Sequence, residues 1–449
     1  MRVSDERRIH VVGIGGAGMS AIARLLLARG DRVSGSDTGS WPLAEALARD
    51  GATVHGSFDA AHVAGADIVL RSSAYGDTNP EVRAALEAGI PVWKRDDAWR
   101  ELAKGERVVA IAGTHGKSTT TALTWLALRA GGVDASLICG APLRGLDTNA
   151  HAGRDRTLVI EADEYDRAFL ALAPEIALVT NVDHDHVDVF PTKAEYDAAF
   201  ADFAARVRTT LVTCADDPGA RGLDPARAIT YGTSSQAAWR IDERIEHPDA
   251  QSFALEGPAG RARVALQLPG AHNALNAAGA IVAALSCGLS LDAVREAFHG
   301  FAGVGRRLEV LGDAGGVLVV DDYAHHPAEL RASIAAIRPR TAGRLHAVFQ
   351  PHTPSRLAAF FDELAAALGE ADERIVVETF ASARERTEDE AARRLAARAR
   401  ARYAADPEAA ARILAERVRP GDVVLVLGAG DVRRAGERLL ALLAAGSPA

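Results

Sequence analysis

The chain is poor in cysteine. Only Cys139, Cys214 and Cys287 occur in 449 residues, and no two of them form a C-x-x-C pair. This argues against a disulfide framework and against a cysteine-rich zinc site. It fits a reducing, cytoplasmic setting. Long apolar runs are also missing, and none approaches the roughly 20 residues that a membrane-spanning helix needs. The N-terminal MRVSDERRIH is polar and leads straight into VVGIGG, without the apolar core of a signal peptide. There is no long basic run, and the net charge is −9. Non-specific nucleic-acid binding needs clustered Lys and Arg, so no nucleic-acid partner is expected. A single local site can still oppose the overall charge and take a nucleotide. No repeat of solenoid type is visible.

What remains is ordinary globular material, 48% hydrophobic and 25% charged. At about 100–200 residues per domain, the length suggests three domains. Three α/β blocks can be read. The first opens with the strand IHVVGIGG, continues through the helix MSAIARLLLARG and the strands DRVSGSD, ADIVLRSSA and GIPVWKR, and closes near residue 104. The second, 105–302, starts with VVAIAG and carries strand-to-loop junctions at LVIEADEYD, IALVTNVDHDH and LVTCADDP. Its 230–270 region has short alternating stretches that suggest antiparallel pairing. HNALNAAGAIVAALSCG follows as a helix. The third, 303–449, holds the strands GVLVVDD, RLHAVFQ, RIVVETF and GDVVLVLGAG. Strands alternating with helices predict α/β folding on parallel sheets. EDEAARRLAARARARYAADPEAAARILAERV is low in complexity and reads as solvated helix faces.

Two glycine loops carry the chemistry. Gly13, Gly15 and Gly18 spell G-x-G-x-x-G between a strand and a helix, and Asp37 ends the next strand. This is the context of a dinucleotide fingerprint: the glycines admit a diphosphate, the helix N-terminus supplies oriented N–H groups, and Asp37 can accept from a ribose hydroxyl. NAD, FAD and a UDP-sugar all present a pyrophosphate, and an unliganded tight turn is the plain alternative. The second loop, GTHGKSTTT from Gly113 to Thr121, departs from the general G-x-x-x-x-G-K-[ST] spelling, because Ile111 stands where the first glycine belongs. Its Lys117 and Ser118 still offer a cation for β/γ-phosphates and a hydroxyl for magnesium.

Glu161, Asp163, Glu164 and Asp166 cluster in EADEYD and are candidate magnesium partners, with Asp166 read as a solvated loop residue. In NVDHDHVD, His184, Asp185, His186 and Asp188 resemble the start of a dinuclear H-x-H-x-D-H site. Val189 replaces the final histidine, so a second ligand near phosphates is preferred over zinc. DDYAHHP brings Asp321, Asp322, Tyr323, His325 and His326 to a strand end, preceded by Arg306 and Arg307. Arginines suit phosphate and carboxylate clamps, although surface ion pairing explains each of these residues equally well. GAGD at 428–431 can meet a ligand through its N–H groups or be a plain turn.

Taken in order, GIGGAGMSAIA, GTHGKSTTT, EADEYD, NVDHDHVD, HNALNA, GVGRRLE, DDYAHHP, FQPH and LGAGD resemble the Mur ligases of peptidoglycan synthesis over about His10 to Leu440. The family spells its phosphate loop G-T-x-G-K-[ST]-T, which GTHGKST matches. The resemblance implies a Rossmann-like N-terminal domain, a P-loop ATPase-like central domain and a Rossmann-like C-terminal domain. Gly13, Gly15, Gly16, Gly18, Asp37 and Ser72 would hold the UDP part of UDP-N-acetylmuramic acid. ATP would lie on Gly113, Thr114, His115, Gly116, Lys117, Ser118 and Thr119, with Asn276, Arg307 and Asp322. Ser118 and Glu161 would hold one Mg2+, His186 would help hold a second, and Lys117, Glu161 and His186 would be catalytic. Tyr323, His325 and Arg356 would orient the amino acid or the muramyl carboxylate, with His325 also within reach of the nucleotide.

The implied reaction is ATP-dependent amide formation through an acyl phosphate. FQPH and GVGRRLE favour the branch that adds one L-alanine over the recycling branch that adds a tripeptide. An NAD-dependent oxidoreductase would leave GTHGKST and EADEYD unexplained, and a non-catalytic nucleotide sensor would show no turnover. The resemblance leaves a monomer or homodimer open. Three departures bear on the acceptor. Pro354 replaces a usual aromatic in QPHTPSR, VETFASARER departs from the usual wording, and Asp183 and His184 replace a glutamate and a smaller residue.

Overall fold

The computed structural model describes residues 6–39, 41–146, 148–380 and 390–446. Among the described residues, three sheets follow one another along the chain. The first is wholly parallel, in the spatial order Thr53–His55, Arg32–Ser36, Arg8–Val12, Ile68–Arg71, Val92–Trp93. The chain leaves Arg8–Val12 to one side and later returns to the other, so a crevice opens at the carboxyl end of that strand. The glycine turn from Gly13 and the residue Ser72, just past Arg71, both lie there.

The second sheet repeats this logic. Strand Arg107–Ala112 runs between Thr157–Glu161 and Ile176–Val179, all parallel. RVVAIA is buried from Val108 to Ala112, as a strand covered on both faces must be. The loop that follows it therefore emerges between the ends of two other strands, beside Glu161 and Thr180. Farther out, Trp239–Glu246, Gln251–Gly257 and Gly260–Leu266 form the antiparallel extension expected for 230–270. At the opposite edge, Ser136–Leu143 and Thr148–His151 form a hairpin whose strands pack on helix Ala17–Ala28 of the first domain.

In the third sheet, Val423–Leu427 lies between Val317–Asp322 and Leu345–Phe349. Edge strand Glu309–Ala314 is antiparallel to its neighbour. The low-complexity segment is more structured than solvated helix faces alone. Helices Ala391–Arg398 and Pro407–Ala415 flank a short strand, Arg402–Ala404, and bury Leu395, Ala411 and Leu414. Its alanines are small enough to lie flat against the sheet while the arginines reach solvent.

One apolar core runs unbroken from Ile9 to Val304, through the first two domains. The third domain keeps its own apolar clusters on the two faces of its sheet. Ion pairs join the third domain to the central one, among them Arg340–Asp249 at 2.8 Å and Arg356–Asp185.

Candidate active site

The loop at Gly113 is built by backbone geometry that only glycine adopts cheaply. Gly113 has φ 133°, and a Cβ there would overlap Thr180 Oγ1. Gly116 has φ 79°, and its Cβ would lie 2.6 Å from Asn276 Oδ1. Gly116 is also the N-cap of helix Lys117–Ala130, so the first N–H groups of that helix open toward the loop. Asn181 staples the loop from the next strand end, accepting from the His115 N–H at 2.8 Å and donating to its carbonyl at 3.1 Å. Thr114 is fixed by Tyr196 and by Asp183. Together these features form a preorganised anion cradle.

Lys117 folds back across this cradle. Its ammonium donates to the Gly113 and Thr114 carbonyls at 2.7 and 3.0 Å and pairs with the buried Glu164 at 2.8 Å. Burial opposes its charge, but Glu164 and Asp163 raise its pKa overall, so it stays a cation. Ser118 Oγ donates to Glu161 Oε1 at 2.9 Å, and the Gly140 N–H donates to Glu161 Oε2. Burial pushes the Glu161 carboxyl up. A hydroxyl and a carboxylate that meet beside a phosphate cradle are hard oxygen donors and fit magnesium.

His186 shares Glu164 with Lys117. Its Nε2 lies 3.4 Å from Glu164 Oε1, and Asp163, Glu164 and His186 bring one ligand atom each within 4.8 Å of one another. Glu164, one of the candidate magnesium partners in EADEYD, instead pairs with Lys117 and also meets His186 and Tyr196. His184 turns away from His186 and bonds the Phe190 carbonyl at 2.8 Å, so the H-x-H pair is not a shared metal site. Asp166 accepts from Ser73 of the first domain at 3.2 Å, and Arg95 of that domain holds Asp163.

A cavity of about 240 Å³ lies between the phosphate loop and the third domain. His115, Gly116, Thr119 and Asn276 line one side, and Arg307 and Asp322 the other. His272 and Asn273, at the start of the HNALNA helix, also line it. Burial, then Arg307, pushes His272 down to about 4, and burial pushes Asp322 up to about 6. The neighbours Arg306 and Arg307 diverge. Arg306, at φ 57°, ties Asp321 to the Gly428 and Ala429 carbonyls, whereas Arg307 turns into the cavity near Glu329. GAGD thus offers carbonyls to Arg306 and behaves there as a turn.

Tyr323, His325 and Arg356 gather at the other end of this interface. Tyr323 lies under both arginines, 5.0 and 5.2 Å from their guanidinium carbons. His325 Nδ1 is 2.9 Å from the Tyr323 carbonyl, which can only accept, so the proton sits on Nδ1 and the Nε2 lone pair is open. Burial and the nearby Arg356 push His325 down to about 3, and it stays neutral. Pro354 stands at the first helical position of Pro354–Ala359, where no N–H is required, and Thr353 caps the helix. The proline therefore costs no hydrogen bond and delivers Arg356 to the interface. Of VETFASARER, Ala381 to Arg386 lie outside the described residues.

At the first domain, Gly13 has φ 85°, and a Cβ there would meet Tyr75 at 2.8 Å and Ser72 at 3.1 Å. Gly15 lies against Trp41, and Gly16 caps helix Ala17–Ala28. Gly18 is unconfined, with its nearest neighbour, Arg95, 4.0 Å from a Cβ built there. Asp37 accepts from the Gly15 N–H at 2.9 Å and from Tyr75 at 3.3 Å, so it shapes the turn as well as facing the crevice. Trp41 and Tyr75 escaped the sequence reading because neither belongs to a motif.

Two P-loop-like and Rossmann-like crevices followed by a third α/β domain define the class. Three family models match in order: "Mur ligase family, catalytic domain" over 8–107, "Mur ligase middle domain" over 111–284, and "Mur ligase, glutamate ligase domain" over 306–430. The chain belongs to the Mur ligase family. It is 43% identical to the UDP-N-acetylmuramate–L-alanine ligase of Chloroflexus aggregans, covering 97% of this chain and 98% of that protein. It is 42% identical to the enzyme of the same name from Kineococcus radiotolerans, covering 97% and 96%. Among solved structures, the UDP-N-acetylmuramate–alanine ligase of Thermotoga maritima superposes with a TM-score of 0.85 at 26% identity, covering 98% of this chain and all of that one. A murein peptide ligase from Psychrobacter arcticus shares the fold, with a TM-score of 0.77 at 23% identity, covering 99% and 100%.

Proposed function

We propose that this chain is an ATP-dependent ligase that joins L-alanine to the carboxylate of UDP-N-acetylmuramic acid in peptidoglycan precursor synthesis, acting in the cytoplasm as a monomer or homodimer. The observation that carries this reading is the cavity between the phosphate loop and Arg307 and Asp322 of the third domain. It lies between the loop that carries His115 and Gly116 and the domain that carries Tyr323, His325 and Arg356. The domains are assigned as 1–104, 105–302 and 303–449.

The sugar nucleotide lies on the Gly13–Gly18 turn, with Asp37 and Ser72 beside it. ATP lies on Gly113–Thr119, with Asn276, Arg307 and Asp322. The muramyl carboxylate attacks the γ-phosphorus, the bond to the bridging oxygen breaks, and ADP leaves. The product is an acyl phosphate, whose phosphate is a far better leaving group than oxide. The free amine of alanine then attacks the acyl carbon, the C–O bond breaks, and inorganic phosphate departs with the amide formed.

Two anions must meet in the first step, so fixed cations matter most there. Lys117 and Arg307 supply them. Ser118, Glu161 and His186 are the residues that would hold Mg2+, which when bound neutralises phosphate charge. Arg356 holds the acceptor carboxylate. Neutral His325 offers its Nε2 lone pair to the acceptor's ammonium without repelling it.

Phosphate release from ATP, measured with UDP-N-acetylmuramate and magnesium, tests the reading. The acceptor is L-alanine, glycine, L-serine, the tripeptide, or none. Release that needs both the sugar nucleotide and L-alanine is expected. Preference for the tripeptide would transfer the protein to the recycling branch, and absence of release with every acceptor would refute the reading.

A further inference from the structure

Asp185 is absent from the roles assigned above, yet it is only 3% exposed and makes a side-on pair with Arg356. Arg356 Nε reaches Asp185 Oδ1 at 2.8 Å, and Nη2 reaches Oδ2 at 3.2 Å. Arg356 is itself 7% exposed. The two residues belong to different domains, and a buried pair of this geometry is rigid.

Asp185 is held from its own side as well. Asn181 and Asp183 tie the start of its loop to the phosphate loop. His186, at φ 52°, accepts at its carbonyl from the Val189 and Phe190 N–H groups, both at 2.8 Å. His186 reaches Glu164 and Asp185 reaches Arg356 of the third domain, while His186 Nε2 stays 4.0 Å from Asp185 Oδ2. His325 Nε2 lies 4.0 Å from Asp185 Oδ2. One carboxylate thus stands behind both groups that face the acceptor. It engages the Nε–Nη2 edge of Arg356 and leaves Nη1 as the donor for an incoming carboxylate.

We infer that Asp185 is a positioning residue that fixes Arg356 for recognition of the acceptor's carboxylate, and so sets the preference for a free amino acid over an acceptor lacking that group. This rests on the ligase reading. A guanidinium free to rotate loses the fork geometry that distinguishes a carboxylate from a neutral amide.

The test compares L-alanine with L-alaninamide as acceptors in the phosphate-release assay. In the unaltered protein, kcat/KM favours L-alanine. Asp185→Asn keeps the side-chain shape and removes its charge. It is expected to lower that preference at least tenfold, chiefly through a higher KM for L-alanine, with the KM for ATP within about threefold of the original. Arg356→Lys, which keeps the cation but not the fork, is expected to lower it similarly, and the double variant to add little more. These two variants keep the inference testable if one of them folds poorly. An unchanged preference, or equal losses for both acceptors, in a folded Asp185→Asn protein would overturn the positioning role. Absence of acceptor-dependent release by the unaltered protein would overturn the ligase reading and this inference with it.

Discussion

Replacing Lys117 tests the phosphate loop most directly. Its side chain is 12% exposed and surrounded by carbonyls and carboxylates, so the local dielectric is well below that of water. A unit charge about 4 Å from the transferring phosphoryl group, at an effective dielectric of about 20, is worth about 4 kcal/mol. Loss of that interaction from the transition state lowers kcat/KM by about 10³-fold. The same substitution also strands the buried Glu164, and breaking a buried pair costs about 3–5 kcal/mol of stability. Lys117→Ala would therefore confuse a lost catalyst with a weakened fold. Lys117→Met combined with Glu164→Gln removes both charges and keeps the volume. The assay is steady-state phosphate release, with Glu164→Gln alone as the control and thermal melting to establish folding. A folded double variant with kcat/KM within tenfold of the control would refute Lys117 as the phosphate cation.

Three further outcomes follow from the geometry. His186→Ala should raise the magnesium concentration for half-maximal activity severalfold at saturating ATP, and an unchanged titration would remove it from the metal site. Gly15→Ala should raise the KM for the sugar nucleotide, because the added Cβ meets Trp41, while direct ATP binding, read by calorimetry, stays as it was. His115 is pushed up to about 9, against the effect of burial, by its bonds to Asp183 and Glu329. Its folded pKa exceeds its unfolded one, so this stabilisation is complete below about pH 6.5 and disappears as pH rises through about 9. The amount is on the order of 3 kcal/mol. Melting temperature without ligands should fall across that window, and the fall should flatten in His115→Gln.

Where an element is built by consecutive residues, the sequence was enough. GTHGKSTTT predicts its own strand, turn and helix because Gly113, Gly116 and Lys117 act through local backbone angles and the first turn of one helix. The same holds for the glycine turn at Gly13 and for the longer strands and helices of the three blocks. The short strands Thr53–His55, Glu309–Ala314 and Arg402–Ala404, and the hairpin from Ser136 to His151, were not legible. They are stabilised by neighbours distant in the chain and have little apolar periodicity of their own.

Side-chain partnership was decided only by the tertiary structure. Arg306 and Arg307 are adjacent, as are Asp185 and His186, and spacing alone cannot say which member of a pair faces a ligand. Arg306, with its left-handed backbone, reaches the Gly428 carbonyl while Arg307 lines the cavity, and Asp185 pairs with Arg356 while His186 pairs with Glu164. The partners that complete each contact, Glu164 for Lys117 and Arg356 for Asp185, lie 47 and 171 residues away. A carboxylate's field reaches only a few ångströms with useful strength, so its role is set by which chain segment the fold brings within that distance.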